Sequence, residues 1–181
     1  MLPVNKNIKD RFIVLKKPDI KDGRALYKLV SECPPLDLNS KYVYFLIGEH
    51  FSETSVIALD EGKAAGMITA YLKPDESSTL FIWQAAVISK YRGMKLASRM
   101  LFEILKRPAL ENVRYIETTI TSGNGVSQKL FLRLAESLNC PVNKTEFIHS
   151  DEFKDERDNN FHETEHLYKI GPFDPQRIRA V

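Results

Sequence analysis

Between residues 80 and 107 the chain passes from a short apolar run into a helical repeat through a turn built on one glycine, and this junction restricts the fold more than any other stretch. The run Leu80-Phe81-Ile82-Trp83-Gln84-Ala85-Ala86-Val87 has the length, β-branching and aromatic content of a buried strand. After Ile88-Ser89-Lys90-Tyr91-Arg92-Gly93-Met94-Lys95, the apolar residues Leu96, Met100, Leu101, Ile104 and Leu105 recur on one helical face, with Lys95, Arg99 and Glu103 off it. Pro108 then ends the helix. A helix entered this way points free backbone N–H groups, at the positive end of its dipole, beyond the end of the strand. Gly93 lets an anion come close. The junction therefore predicts a diphosphate site made largely of backbone.

The remaining segments read in order as β, α, α, β, β, β, α, β, α, β, β. Phe12-Ile13-Val14-Leu15 is a first strand closed by Pro18. A helix over residues 19–32 stops at Pro34-Pro35, and a second, aromatic helix opens after Asn39 or Ser40. Residues 55–59 and 64–72 pair through the turn Asp60-Glu61-Gly62-Lys63, with a loop at 74–78 before the central strand. A strand over 113–121, the turn Ser122-Gly123-Asn124-Gly125, a helix over 126–138 and strands near 145–148 and 166–170 complete the pattern. At 181 residues this predicts a single domain, residues 1–181, with a core of about 10–173 and short flexible termini. The formal charge of +2 is scattered, which predicts no nucleic-acid partner. No apolar run reaches membrane-spanning length, so no membrane partner and a cytoplasmic location are expected. Cys33 and Cys140 read as reduced thiols. The acidic residues Asp151, Glu152, Asp155, Glu156 and Asp158 mark a solvated loop.

Residues 90–95, Lys-Tyr-Arg-Gly-Met-Lys, resemble the Gln/Arg-x-x-Gly-x-Gly/Ala turn of the GCN5-related N-acetyltransferases (GNAT), matching strictly only at Gly93. The element order agrees with that superfamily. The resemblance implies an α/β (α+β) GNAT fold: a mixed, mostly antiparallel central sheet flanked by helices, whose central strands splay around the pantetheine arm of acetyl-CoA. It implies acetyl-CoA as co-substrate and no metal. Its cofactor contacts would be Ala85, Ala86, Val87, Arg92, Gly93, Met94, Lys95, Leu96 and Ala97, then Asn124, Ser127 and Phe131. Asn124 reads equally as a helix cap. Many relatives carry a proton-donating Tyr where Phe131 stands, so that role is absent or moved.

A narrower likeness extends over residues 10–173. Leu36-Asp37-Leu38-Asn39-Ser40, Glu49-His50-Phe51, the run from Leu80 to Gln84, Arg107-Pro108, Tyr115-Ile116-Glu117-Thr118-Thr119, His162-Glu163 and Ile170-Gly171-Pro172-Phe173 are similar to the L-2,4-diaminobutyrate acetyltransferase family of ectoine biosynthesis. It implies transfer of acetyl to the 4-amine of L-2,4-diaminobutyrate, and a homodimer. A diamino acid needs carboxylates for its ammonium groups, and Asp37, Glu49 and Glu117 are the candidates. Asn39, Trp83, Gln84, Thr118, Thr119 and His162 are the further substrate contacts, and Glu117 or His162 the base that deprotonates the amine. Backbone N–H groups near residues 85–87 would face the oxyanion. Another amine, a protein N-terminus or a silent acetyl-CoA sensor are the alternatives. His162-Glu163-Thr164-Glu165-His166 also spells H-E-x-x-H, a zinc signature that requires a helix.

Overall fold

The computed structural model describes residues 12–154 and 162–179. Part of the acidic loop (Asp155, Glu156, Asp158) and residues 1–11, 180 and 181 lie outside the described residues, whereas the C-terminal tail expected to be flexible beyond residue 173 contains a short helix, Pro175–Arg179, with Ile178 buried in the core. Seven strands form one sheet: β1 (Ile13–Lys16), β2 (Val56–Asp60), β3 (Lys63–Lys73), β4 (Glu76–Val87), β5 (Tyr115–Thr121), β6 (Val142–Ile148) and β7 (Glu165–Ile170). Their order is β1-β2-β3-β4-β5-β7-β6. Every neighbouring pair is antiparallel except β4 and β5, which run parallel. The expected mixed sheet is thus observed. β4 begins earlier than the sequence indicated, leaving only residues 74–75 between it and β3.

Helices α1 (Gly23–Ser31) and α2 (Lys41–His50) cover one face, where Leu26, Leu29, Tyr44 and Ile47 pack on Ile57, Met67 and Ala86. Helices α3 (Leu96–Leu105), α4 (Gly125–Leu138) and α5 (Pro175–Arg179) cover the other, against Val56, Ile68, Leu80, Ile82, Ile116 and Ile120. The alternation of strand side chains sends neighbouring residues such as Val56 and Ile57 to opposite layers.

One irregularity breaks that alternation where it matters. Thr69 of β3 faces Gln84, but the next residue, Ala70, faces Ile82, so Trp83 is an extra residue in β4. Before the bulge, Leu80 and Ile82 face α3 and α4; after it, Ala85 and Val87 do, while Gln84 and Ala86 turn toward α1 and α2. The bulge also removes a ladder bond: the Gln84 N–H donates to the Thr69 hydroxyl at 3.2 Å instead.

Candidate active site

β4 and β5 pair only from Thr79↔Tyr115 to Ile82↔Thr118, although both strands continue. Beyond that point they separate, and the Thr118 hydroxyl donates to the Ile82 carbonyl at 3.1 Å across the last step. Along this part of β4 the N–H groups of Gln84 and Ile88 point to β3. By the two-residue period of a strand, those of Ala85 and Val87 point into the opening, free of a ladder partner in β5. Two backbone donors on the wall of a cleft can hold a carbonyl oxygen that gains charge.

The cofactor turn follows at once. Gly93 has φ +78° and Lys95 φ +56°, and α3 starts at Leu96. A Cβ added at Gly93 would meet nothing within 4 Å, so the space over the turn is open. Arg92 is exposed and its Nε donates to the Val87 carbonyl at 3.2 Å, which ties the turn to the end of β4. Met94 and Ala97 are half-buried. Leu96 and Ala86 place their side chains in the core and can offer only backbone to a ligand. At the start of α4, Asn124 is a cap: its Oδ1 accepts from the Ser127 N–H at 3.1 Å. The same side chain carries an NH2 group that can donate to an amide carbonyl. Phe131 departs from expectation. It is 2 % exposed in the core beneath α4, so its ring faces the sheet rather than a ligand.

On the acceptor side, three chain segments meet at the open ends of the strands. The loop before α2 brings Asp37, whose carboxylate is 88 % exposed and 3.8 Å from His162 Nε2. The His162 ring stacks on Phe153, with centroids 3.8 Å apart. Its Nδ1 lies 2.7 Å from the Glu163 carbonyl, which can only accept, so the proton sits on Nδ1 and Nε2 faces the carboxylates. Glu165, at the start of β7, lies 3.9 Å from the same Nε2 and opposite Thr121. Its Oε2 is buried with no hydrogen-bond partner among the described residues. Burial pushes the Glu165 carboxyl above the ordinary range, against a hydrogen bond from Thr119 that pulls it down. Trp83, at the bulge, is 44 % exposed, which excludes plain core packing. Asn39 is half-buried in the Asp37 loop.

Several expected site residues do other work. Glu117 is not available as a base: its carboxylate, 4 % exposed, lies 2.8 Å from Lys73 Nζ and 3.1 Å from Lys169 Nζ, below the opening. That contact is the main cause holding the Lys73 ammonium above its usual pKa. Gln84 does not present its amide to a ligand, because Nε2 donates to the Asp37 carbonyl (2.8 Å) and Oε1 accepts from the Tyr44 hydroxyl (3.2 Å). The Thr118 hydroxyl is used within the sheet. Glu49 sits near the far end of α2, about 12 Å along the axis from the end that carries Asp37, and does not join the cluster. The zinc signature fails on geometry: residues 162–164 are irregular, Glu165 and His166 lie in β7, and no metal-holding group of side chains occurs among the described residues. Glu165 is the residue that sequence reasoning passed over. Only its place in a strand, on the face shared with Thr119, would have revealed it.

A parallel pair of strands that separates beside a glycine turn at a helix N-terminus is the arrangement that the resemblance to acetyltransferases implied, and the chain belongs to the acetyltransferase (GNAT) family, whose sequence profile matches residues 23–135. The relatives narrow the class. The L-2,4-diaminobutyric acid acetyltransferase of Chromohalobacter salexigens is 41 % identical over 92 % of this chain and 84 % of its own length. That of Vibrio parahaemolyticus is 45 % identical over 87 % of this chain and 84 % of its own. Among solved structures, the diaminobutyrate acetyltransferase of Paenibacillus lautus, in complex with its substrate L-2,4-diaminobutyric acid and coenzyme A, matches with a TM-score of 0.86 and 38 % identity, covering 90 % of this chain and 96 % of that one. The ribosomal-protein-S18-alanine N-acetyltransferase of Escherichia coli, at 12 % identity and TM-score 0.65, shares the fold alone.

Proposed function

We infer that this protein transfers acetyl from acetyl-CoA to the 4-amino group of L-2,4-diaminobutyrate, giving N4-acetyl-L-2,4-diaminobutyrate, the precursor that an ectoine synthase cyclises. The observation that carries the reading is the acidic cluster of Asp37 and Glu165, with His162, at the open ends of β4 and β5, beside the N–H groups of Ala85 and Val87. A substrate with two ammonium groups fits the first and a thioester carbonyl the second. The diphosphate lies over the turn at Gly93 and the first N–H groups of α3; Asn124 reaches the pantetheine arm. Asp37 holds an ammonium, Trp83 covers the methylene chain, and Thr119 lines the floor.

Glu165 accepts a proton from the attacking ammonium, directly or through one water, because burial strengthens its hold on a proton and its Oε2 has no hydrogen-bond partner among the described residues. The amine nitrogen bonds to the thioester carbon, the oxyanion rests on the N–H groups of Ala85 and Val87, and collapse breaks the C–S bond while the nitrogen's second proton passes through water to the departing sulfur, releasing CoA as the thiol. The leaving thiolate needs no donor from the protein, in keeping with the inward-facing Phe131. No helix among the described residues is long and apolar enough to cross a membrane; we place the reaction in the cytoplasm, where acetyl-CoA is made. The unit in solution is a homodimer, for which the edge strand β6, with Phe147 more than half exposed, offers a surface.

The test is turnover with acetyl-CoA and a panel of amines, following free thiol and identifying the product by NMR. Release of CoA with diaminobutyrate, and an acetyl group on N4, is expected. Thiol release with spermidine or lysine but not with diaminobutyrate would overturn the reading. Light scattering checks the dimer.

A further inference from the structure

Gln84 occupies an unusual position for a polar side chain. It is 6 % exposed, lies next to the bulge, and faces α2 only because Trp83 shifts the alternation of β4. Both ends of its amide are engaged. Nε2 donates to the Asp37 carbonyl at 2.8 Å, and Oε1 accepts from the Tyr44 hydroxyl at 3.2 Å. Tyr44 is itself fully buried and held edge-on against Tyr27, with ring centroids 5.9 Å apart. A chain of two hydrogen bonds therefore runs from the core of α2, through the strand that carries the oxyanion donors, to the backbone of the residue that faces His162. Asp37 itself lies in a loop with its carboxylate in solvent, so its own side chain does little to fix it. The hydrogen bond from Gln84 ties the Asp37 backbone directly to β4.

We propose that Gln84, acting with Tyr44, is a positioning residue that holds Asp37 at a fixed place relative to the thioester-binding edge of β4, and so sets the affinity for the diamine acceptor. The inference rests on the acetyl-transfer reading above. An amide is the side chain suited to the task, since one end must donate to a carbonyl while the other accepts from a hydroxyl. Removing it leaves the buried Tyr44 hydroxyl and the part-buried Asp37 carbonyl without these partners and frees the loop. The cofactor turn begins beyond Val87 and is tied to β4 by its own contact, from Arg92 Nε to the Val87 carbonyl, which the Gln84 amide does not touch.

The experiment is a double-mutant cycle between Gln84→Leu and Asp37→Asn, with Tyr44→Phe as the milder variant, measuring KM for diaminobutyrate, KM for acetyl-CoA, kcat and thermal unfolding. Gln84→Leu is expected to raise the diaminobutyrate KM about ten-fold or more while the acetyl-CoA KM stays within about two-fold. Tyr44→Phe moves the same KM in the same direction by less. Gln84→Leu adds little on the Asp37→Asn background, because both act through one contact. Equal movement of both KM values, or a full additive penalty in the double variant, overturns the proposal in favour of a core role. If Gln84→Leu does not fold, the cycle is run with Tyr44→Phe, and additivity there overturns it equally. Absence of diaminobutyrate turnover by the unmodified enzyme sinks the functional reading and this inference with it; turnover with unmoved variant KM values sinks this inference alone.

Discussion

Glu117 and Glu165 are both withdrawn from solvent on adjacent strands, yet their neighbours give them opposite chemistry. Glu117 lies between two ammonium groups, each about a third exposed, and both of its oxygens are engaged by them. Glu165 has a buried oxygen without a partner and a carboxyl raised by burial. Glu117→Gln is therefore expected to lower stability by about 1–3 kcal/mol while leaving kcat little changed, as unfolding and steady-state assays will show. Glu165→Gln should lower kcat by about two to four orders of magnitude. The pH profile gives the sign: below the raised pKa the Glu165 carboxyl is neutral and cannot take a proton, so kcat/KM climbs as pH rises through that value and then levels. In Glu165→Gln this acid limb disappears. Because the folded-state pKa lies above the unfolded one, Glu165 costs stability above that pKa and the cost fades as pH falls, so the variant should unfold no more readily than the parent at neutral pH. Nothing in the sequence separates the two glutamates, since both stand in strand-forming surroundings. The difference comes from lysines 44 and 52 positions away from Glu117, on other strands.

At the scale of elements, the turn between β4 and α3 was legible where its chemistry is backbone chemistry. Gly93 leaves the space over the turn open, as an anion's close approach requires, takes a positive φ that the pattern did not specify, and α3 begins at Leu96, the first residue of the expected apolar face. Lys95, which replaces a small residue of the resembled turn, also adopts a left-handed conformation. Gly93→Ala should cost about 1–2 kcal/mol from φ alone, since no neighbour crowds the new methyl group. That methyl would stand where the diphosphate approaches. The expected result is a rise of about ten-fold or more in the acetyl-CoA KM with the amine KM unchanged, the converse of the Gln84→Leu result. The letters of the zinc signature, in contrast, were misleading, because the same five residues run out of a loop into a strand, where His162 and His166 cannot share a helical face.

For the whole molecule, the proposed reading puts the pantetheine arm of the cofactor in the opening between β4 and β5, so cofactor binding should stabilise the fold without the amine. At a CoA concentration about a hundred times its Kd, linkage adds about 2.7 kcal/mol, a rise of about 5–10 °C in Tm for a chain of this size, measurable by calorimetry. A shift of the same size with diaminobutyrate alone would contradict a site assembled on the cofactor side. The sequence by itself determined what depends on local order: the strands and helices, the glycine turn before α3, the cap at Asn124 and, through resemblance, the substrate. Tertiary structure alone decided which carboxylate is free, which amide is engaged and which way Gln84 points. A single bulge at Trp83 reverses the two-residue period for the rest of β4. That reversal depends on how β3 and β4 pair, a contact between residues distant in the chain that no local pattern encodes.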